Sequence, residues 1–316
     1  MQSRLVGATG LRVSRIGLGT LTWGRDTDEH EARDQLKTFV EAGGTLLDTA
    51  AGYADGAAEE LIGRFVGDVV NRDDVVIATK AGVARGRDNR SVNVSRGQLL
   101  RTLDSSLGRL GVDHVDLWQV HVWSDETPLE ETLSALDFAV STGRVAYAGV
   151  SNYSGWQSAQ AATWQRAVPG RAPLASTQVE YSLLNRRVEA EVLPAAAALG
   201  LGVFAWSPLG RGVLTGKYRH STPADSRAAS PHFANFVGTY LDERGARVVE
   251  AVVKAAEGLD LSPLEVALVW VRDRPGITAP IVGARTATQL RVALRAEEVE
   301  LPAEIVAALD DVSVLS

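Results

Sequence analysis

The chain has 316 residues, 45% of them hydrophobic and 22% charged, with a formal net charge of −7. That is the make-up of a folded protein with a large core. The negative balance argues against a surface built for nucleic acid or anionic membrane, and the lack of cysteine excludes disulfides, thiolate catalysis and cysteine-ligated metals.

The elements follow in chain order. Residues 1–10 hold no basic-then-apolar signal pattern, and no later stretch approaches the ~18 apolar residues of a membrane span, so a soluble, cytoplasmic protein is expected. Residues 5–13 read as a β-hairpin turning at Thr9-Gly10, placed where it could plug the bottom of a barrel. Short apolar runs then occupy residues 16–18, 45–48, 75–79, 115–120, 146–150, 174–179, 202–206 and 277–282. Longer amphipathic stretches lie between them, among them 28–42, 96–110, 129–142 and 188–199. In 96–110, Leu99, Leu103, Leu107 and Leu110 fall at helical spacing, with Ser95 as N-cap. Alternation of short strands with helices predicts a parallel sheet covered by helices, and eight such units predict a closed (β/α)8 barrel. Residues 208–244 form a long insertion between strands seven and eight, and 220–234 within it are rich in Ser, Pro and Ala. Residues 302–312 read as a last helix outside the barrel. No repeat, low-complexity tract or linker divides the chain, so residues 1–316 are expected to form one α/β domain.

Barrel enzymes carry their chemistry at the C-terminal ends of the strands. Asp48 ends the second run, Tyr53 follows it, Lys80 ends the third and His121 the fourth. Singly, a strand-end Asp is usually a helix cap and a lone Lys or His a surface or packed group. At consecutive strand ends the four converge on one mouth. The set suits carbonyl reduction, which places negative charge on oxygen as hydride reaches carbon and needs a proton donor aimed at that oxygen. A phenol is a poor acid near neutrality, since its ordinary pKa is ~10. The Lys80 ammonium would favour the phenolate and make Tyr53 a better donor, Asp48 would hold Lys80, and His121 would orient the carbonyl. No G-x-G-x-x-G follows the first strand, no P-loop occurs, and the scattered histidines suggest no metal site.

The motifs carry a resemblance. Asp48-Thr-Ala-Ala-Gly-Tyr53, Ala78-Thr-Lys80, Asp116-Leu-Trp-Gln-Val-His121, Gly149-Val-Ser-Asn152, Gln178-Val-Glu-Tyr-Ser182, Trp206-Ser-Pro-Leu-Gly210 and Gly283-Ala-Arg-Thr286 with Gln289 resemble, in order, the aldo-keto reductase family. Trp206 is similar to the branch holding bacterial members and potassium-channel β subunits. The resemblance implies a TIM barrel, NADPH as cofactor, a small carbonyl substrate and Asp48, Tyr53, Lys80 and His121 as catalytic residues. It implies Ser151, Asn152 and Gln178 on the nicotinamide carboxamide and Trp206 on the ring. Gly19, Thr20 and Leu21 would meet the cofactor from the first loop, and Ser207, Leu209, Gly212 and Lys217 would wrap the pyrophosphate. Gly283, Arg285 and Gln289 complete the set, with Arg285 at the 2′-phosphate; helical geometry leaves Arg291 either assisting there or turned to solvent. Val292 and Ala293 stand where the family carries adenine-binding polar residues.

Trp23 and Trp123, after strands one and four, are expected to line the substrate mouth with Tyr53 and His121, which suits apolar or aromatic carbonyls. Two rivals share the barrel. One is a non-catalytic, NADPH-sensing interaction module. The other is a Schiff-base lyase with Lys80 as nucleophile.

Overall fold

The computed structural model describes residues 1–85, 90–223, 226–230 and 234–314. Strands β1 (Ser3–Leu5) and β2 (Arg12–Ser14) pair antiparallel as the expected hairpin. The barrel opens with β3 (Gly17–Gly19), helix α1 (Glu29–Glu41), β4 (Leu46–Asp48), α2 (Ala57–Phe65) and β5 (Val76–Ala81). A small hairpin, β6 (Val83–Arg85) and β7 (Arg90–Val92), leaves its rim. Then come α3 (Arg96–Leu110), β8 (Val115–Val120), α4 (Leu129–Ser141), β9 (Val145–Ser151), α5 (Gly155–Ala167), β10 (Leu174–Glu180), α6 (Val192–Leu199) and β11 (Gly202–Trp206). Helices α7 (Ala234–Gly238), α8 (Glu243–Leu259) and α9 (Pro263–Arg272) precede β12 (Ile277–Val282), and α10 (Ala287–Arg295) and α11 (Ala303–Ser313) close the chain. Strands β3, β4, β5, β8, β9, β10, β11 and β12 are all parallel, and β12 pairs back onto β3, so the sheet is a closed eight-stranded barrel. No described helix is long and apolar enough to cross a membrane.

Period two along the strands divides the core. Leu46, Ala78, Leu117, Ala175, Phe204, Ala279 and Ile281 point into the lumen, where Val6, Leu11 and Val13 of the hairpin join them and plug its lower end. Their neighbours Leu47, Ile77, Trp118 and Val203 point outward into the larger core beneath the helices. Two residues above Leu46 and Ala78, the same inward alternation brings Asp48 and Lys80 to the upper end.

Some boundaries move for local reasons. Thr45 lies outside β4, because its backbone N–H and hydroxyl oxygen are bonded to Ser14. The stretch 188–199 is not one helix. It is a 3-10 turn, Arg187–Glu189, followed by α6, whose Pro194 sits in the first turn, where a missing N–H costs nothing. Ser95 occupies the N-cap of α3 without capping it: its N–H and hydroxyl both donate to Asn93 Oδ1. The insertion before β12 contains a 3-10 segment, Gly210–Thr215, and α7, and part of the Ser/Pro/Ala-rich 220–234 lies outside the described residues.

Candidate active site

At the C-terminal mouth, Lys80 and Asp48 are 1% and 3% exposed, so neither can lean on water for its charge. Lys80 Nζ donates to both carboxylate oxygens of Asp48 at 2.8 Å and to the Thr49 carbonyl at 2.9 Å. Asp48 Oδ1 also accepts from Gln178 Nε2 at 2.7 Å. Burial alone would lower the Lys80 pKa, but attraction to Asp48 and to a Tyr53 phenolate, with hydrogen bonds to both, outweighs it and raises the value above the ordinary 10.5. The ammonium is therefore permanent at neutral pH. It lies 5.4 Å from the Tyr53 ring centroid, and the Tyr53 and His121 rings meet edge to face at 6.0 Å. Tyr53 is held from the backbone: its N–H bonds to Ala50 O, and Ala51 N–H bonds to Lys80 O, which locks the loop after β4 onto β5.

A second network adjoins it. Ser151 Oγ donates to Gln178 O at 3.0 Å, and Asn152 Nδ2 donates to His121 O at 2.9 Å and to Ser151 Oγ at 3.0 Å. Trp206 Nε1 donates to Asn152 Oδ1 at 3.0 Å. Asn152 and Ser207 adopt left-handed backbone conformations, with φ of 57° and 53°, which turn the chain sharply at the ends of β9 and β11. Arg211, also left-handed, spans from the insertion to β10: it makes two bonds to Glu180 at 2.8 and 2.7 Å, donates to Phe236 O, and stacks on the Phe236 ring at 3.7 Å.

These groups line one cavity of about 580 Å³. It runs from Asp48, Tyr53 and His121, past Ser151, Asn152, Gln178 and Trp206, to Lys217, Arg285 and Gln289. Gly19, Leu21, Ser207, Leu209, Gly212 and Gly283 are on its wall, as are Val292 and Ala293. Lys80 lies behind Tyr53, buried. Other expected positions need correction. Trp23 does not line the mouth: it is fully buried, donates from Nε1 to Gln35 Oε1 and packs edge-on against Phe65, so it anchors α1 and α2. Trp123 lies off the cavity wall, edge-on to Tyr153 and Trp156, with Nε1 donating to Asp125. Thr20 is buried beneath the wall, its N–H and hydroxyl spent on Asp48 O. Arg291 is exposed on α10 and is not part of the lining. Sequence reasoning missed Arg211, Phe236, Val83 and Leu264. Arg211, between Gly210 and Gly212, had a signal in that glycine pair; Phe236 had none. Among the described residues no cluster of acidic or histidine side chains could hold a metal ion.

The chain as a whole is similar to known proteins. The model of the aldo/keto reductase family matches residues 15–314. The Uncharacterized oxidoreductase YrpG of Bacillus subtilis (strain 168) is 39% identical, over 99% of this chain and 96% of its own length. A Probable voltage-gated potassium channel subunit beta of Oryza sativa subsp. japonica is 35% identical over 95% of this chain and 92% of its own. The L-glyceraldehyde 3-phosphate reductase of Escherichia coli (strain K12) is 33% identical over 92% and 86%.

Proposed function

The chain belongs to the aldo/keto reductase family, and on that footing we propose that it is an NADPH-dependent reductase of aldehydes and ketones, acting as a single domain in the cytoplasm, with Tyr53 as proton donor. The observation that carries the reading is the buried Lys80–Asp48 pair beside Tyr53 at a cavity of about 580 Å³ that Trp206, Lys217 and Arg285 also line.

The residues present fit a nicotinamide nucleotide. A carboxamide needs both donors and acceptors, and the Ser151–Asn152–Gln178 network keeps both, since Asn152 Oδ1 and Ser151 Oγ retain lone pairs and Gln178 Nε2, with one hydrogen on Asp48, has a second to donate. Trp206 offers a flat ring on the same wall. Gly212 sits at φ 93°, with room beside it only as far as Lys217 Nζ, 3.3 Å from where a Cβ would stand, so backbone and cation approach the same volume together. At the far end two early donors of α10 are already engaged: Gln289 N–H bonds to Thr286 Oγ1 and Ala287 N–H to Glu31. A 2′-phosphate there falls to the Arg285 guanidinium, which suits a doubly charged anion. Gly19, Leu21, Ser207, Leu209 and Gly283 complete the enclosure.

A nicotinamide held here would supply hydride for the carbonyl carbon. Tyr53 gives its phenolic proton to the carbonyl oxygen, so that hydride and proton together make the alcohol. Lys80 stabilises the phenolate that remains, and Asp48 fixes Lys80 and offsets the cost of burying it. His121, edge-on to Tyr53, orients the oxygen. Beside Tyr53 and His121 the cavity is walled by Val83 and Val122, which suits apolar carbonyls.

Tyr53→Phe is the direct test. It should abolish nearly all NADPH oxidation with an activated aldehyde while leaving NADPH affinity in place, read by nicotinamide absorbance and by fluorescence titration. Wild-type turnover in that variant would remove Tyr53 from the chemistry. Similarity to potassium-channel β subunits favours a second reading, a cofactor-sensing module; a wild type that binds NADPH and turns over no carbonyl in a broad panel would establish it.

A further inference from the structure

Resting on the reading of Tyr53 as proton donor, we propose that Glu59 and Arg109, outside the barrel, are the positioning pair that sets the Tyr53 phenol against Lys80. The backbone directly after Tyr53 takes three left-handed residues in succession: Ala54 (φ 47°), Asp55 (φ 55°) and Gly56 (φ 100°). Alanine rarely adopts this conformation, and it persists only where its surroundings impose it.

Those surroundings are specific. The Arg109 side chain lies directly on Gly56, with its Cδ and Nε each 2.7 Å from where a Cβ would stand. Arg109 is held by Glu59, the third residue of α2, which is fully buried. Glu59 Oε2 accepts from Arg109 Nε at 2.8 Å and Nη2 at 2.6 Å. Glu59 Oε1 accepts from Thr79 Oγ1 at 2.5 Å. Thr79 is the residue before Lys80 on β5, so one carboxylate grips both the strand that carries the lysine and the arginine that packs the turn carrying the tyrosine. The loop closes through Ala51 N–H, which bonds to Lys80 O, and Ala57 N–H, bonded to Tyr53 O and Ala54 O. There is little slack in α2 either: a Cβ on Gly63 would stand 2.4 Å from Arg109 O.

A purely structural role explains less. A buried ion pair is often no more stabilising than apolar side chains of the same volume, and its surroundings are mainly apolar, the buried Ser106, whose Oγ accepts from Arg109 Nη2 at 3.3 Å, apart. What an apolar replacement cannot supply is the three-way, directional hold on Thr79 and Arg109 at once. Hydrogen bonds fix direction, and a displacement of about 1 Å at a proton donor is enough to cost on the order of a hundredfold in rate.

Glu59→Gln keeps the shape and an acceptor for Thr79 but sets an amide against the Arg109 guanidinium. It should lower kcat about ten- to a hundredfold, leave the NADPH dissociation constant and the aldehyde KM unchanged, and move the pH dependence of the remaining rate, because a displaced phenol no longer feels Lys80 as before. Leu61→Ala, on the same helix and buried but outside the pair, is the control for general loosening of α2. A Glu59→Gln protein with wild-type kcat and pH profile overturns the proposal. So does a Leu61→Ala protein of equal thermal destabilisation that shifts kcat and the pH profile as far. If Glu59→Gln does not fold, Arg109→Lys keeps the charge and loses the fork and the contact with Gly56; it should show the same kcat-only loss to a smaller degree, and a wild-type kcat there also overturns the proposal. The donor reading fails separately: it falls if Tyr53→Phe turns over, whereas an inactive Tyr53→Phe beside a fully active Glu59→Gln sinks this inference alone.

Discussion

The two halves of the cavity are built by different means. On the proton-donor side, Asp48 and Lys80 arrive at the mouth because strand alternation delivers every second residue to the lumen, and both are buried and multiply bonded. On the cofactor side, the groups sit at the strand ends and just past them, where the backbone bends through left-handed residues at Asn152, Ser207 and Arg211. Their hold on one another is side chain to side chain: Trp206 to Asn152, Arg211 to Glu180 and Phe236. On the proposed function, the first half serves the reaction and the second is where affinity and cofactor choice can be tuned. Changes in the first half should therefore act on kcat, and changes in the second on dissociation constants.

The largest effect should come from Lys80→Met. It removes the cation and leaves Asp48 buried with Gln178 as its remaining side-chain donor, so turnover should fall at least as far as the roughly 10²–10⁴-fold worth of general acid catalysis. Asp48→Asn, which removes only the group that holds Lys80, should cost less. Steady-state kinetics with an activated aldehyde separates them. Negligible loss in both would shift the balance to the cofactor-sensing reading. A Lys80→Met protein with intact kcat and weakened NADPH would invert the comparison between the halves.

The same division explains what is legible in the sequence. The barrel is legible because eight apolar runs alternate with amphipathic stretches, and most of the runs match a strand to within a residue or two. Lys80 and Asp48 are legible because, together with Tyr53 and His121, they fall at consecutive strand ends, where the ordinary uses of each residue alone do not explain the set. Trp23 misleads because an aromatic residue after a strand suits a pocket wall and a core anchor equally well, and only the partner, Gln35 on α1, decides between them. Phe236 is not legible because its contacts join residues that no local period links, and Arg211 shows only in the glycines on either side of it. Glu59 is hidden by its setting in the Ala-Ala-Glu-Glu run of α2, where one of two adjacent acids turns inward to Thr79 and the other stays exposed.

Next in size is Arg285→Ala. NADPH should be preferred over NADH, and losing one charge-assisted contact costs about 1.5–3 kcal/mol, or roughly ten- to a hundredfold in NADPH affinity. NADH binding should hardly change, because Val292 and Ala293 on the adjoining wall favour neither cofactor. Dissociation constants for both cofactors in both proteins test it; an unchanged ratio would clear Arg285 of the role. Trp206→Ala should follow, weakening both cofactors by about 1–2 kcal/mol through lost stacking. It should also free Asn152, whose Oδ1 loses its indole partner. If kcat fell tenfold with affinity intact, the two halves would not be separable at Trp206.

The smallest effect is a loss of stability at high pH to which groups beside both halves contribute. Lys80 in the barrel has its pKa raised above 10.5: burial opposes the charge, and Asp48 together with Tyr53 more than offsets burial. In and beside the cofactor half, Tyr181 and Tyr240 have theirs raised above 10.0, first by burial and then by the acidic neighbours Glu189 and Glu180. The sign is the same for both types of group. The unfolded chain releases these protons near their ordinary values, about pH 10 to 10.5, while the folded chain still holds them. Their contribution to stability is therefore complete at neutral pH and is lost as pH rises beyond about 10. Urea midpoints should stay level from about pH 7 to 9 and decline from about pH 10. Tyr240→Phe cannot ionise, so it should soften the decline without touching the barrel. Tyr240 donates to Glu180 at 3.0 Å, the same carboxylate that anchors Arg211, so that variant should also weaken NADPH slightly while kcat holds. A midpoint flat to about pH 12 would contradict the titration argument, and a Tyr240→Phe protein that lost kcat instead of affinity would contradict the division of labour.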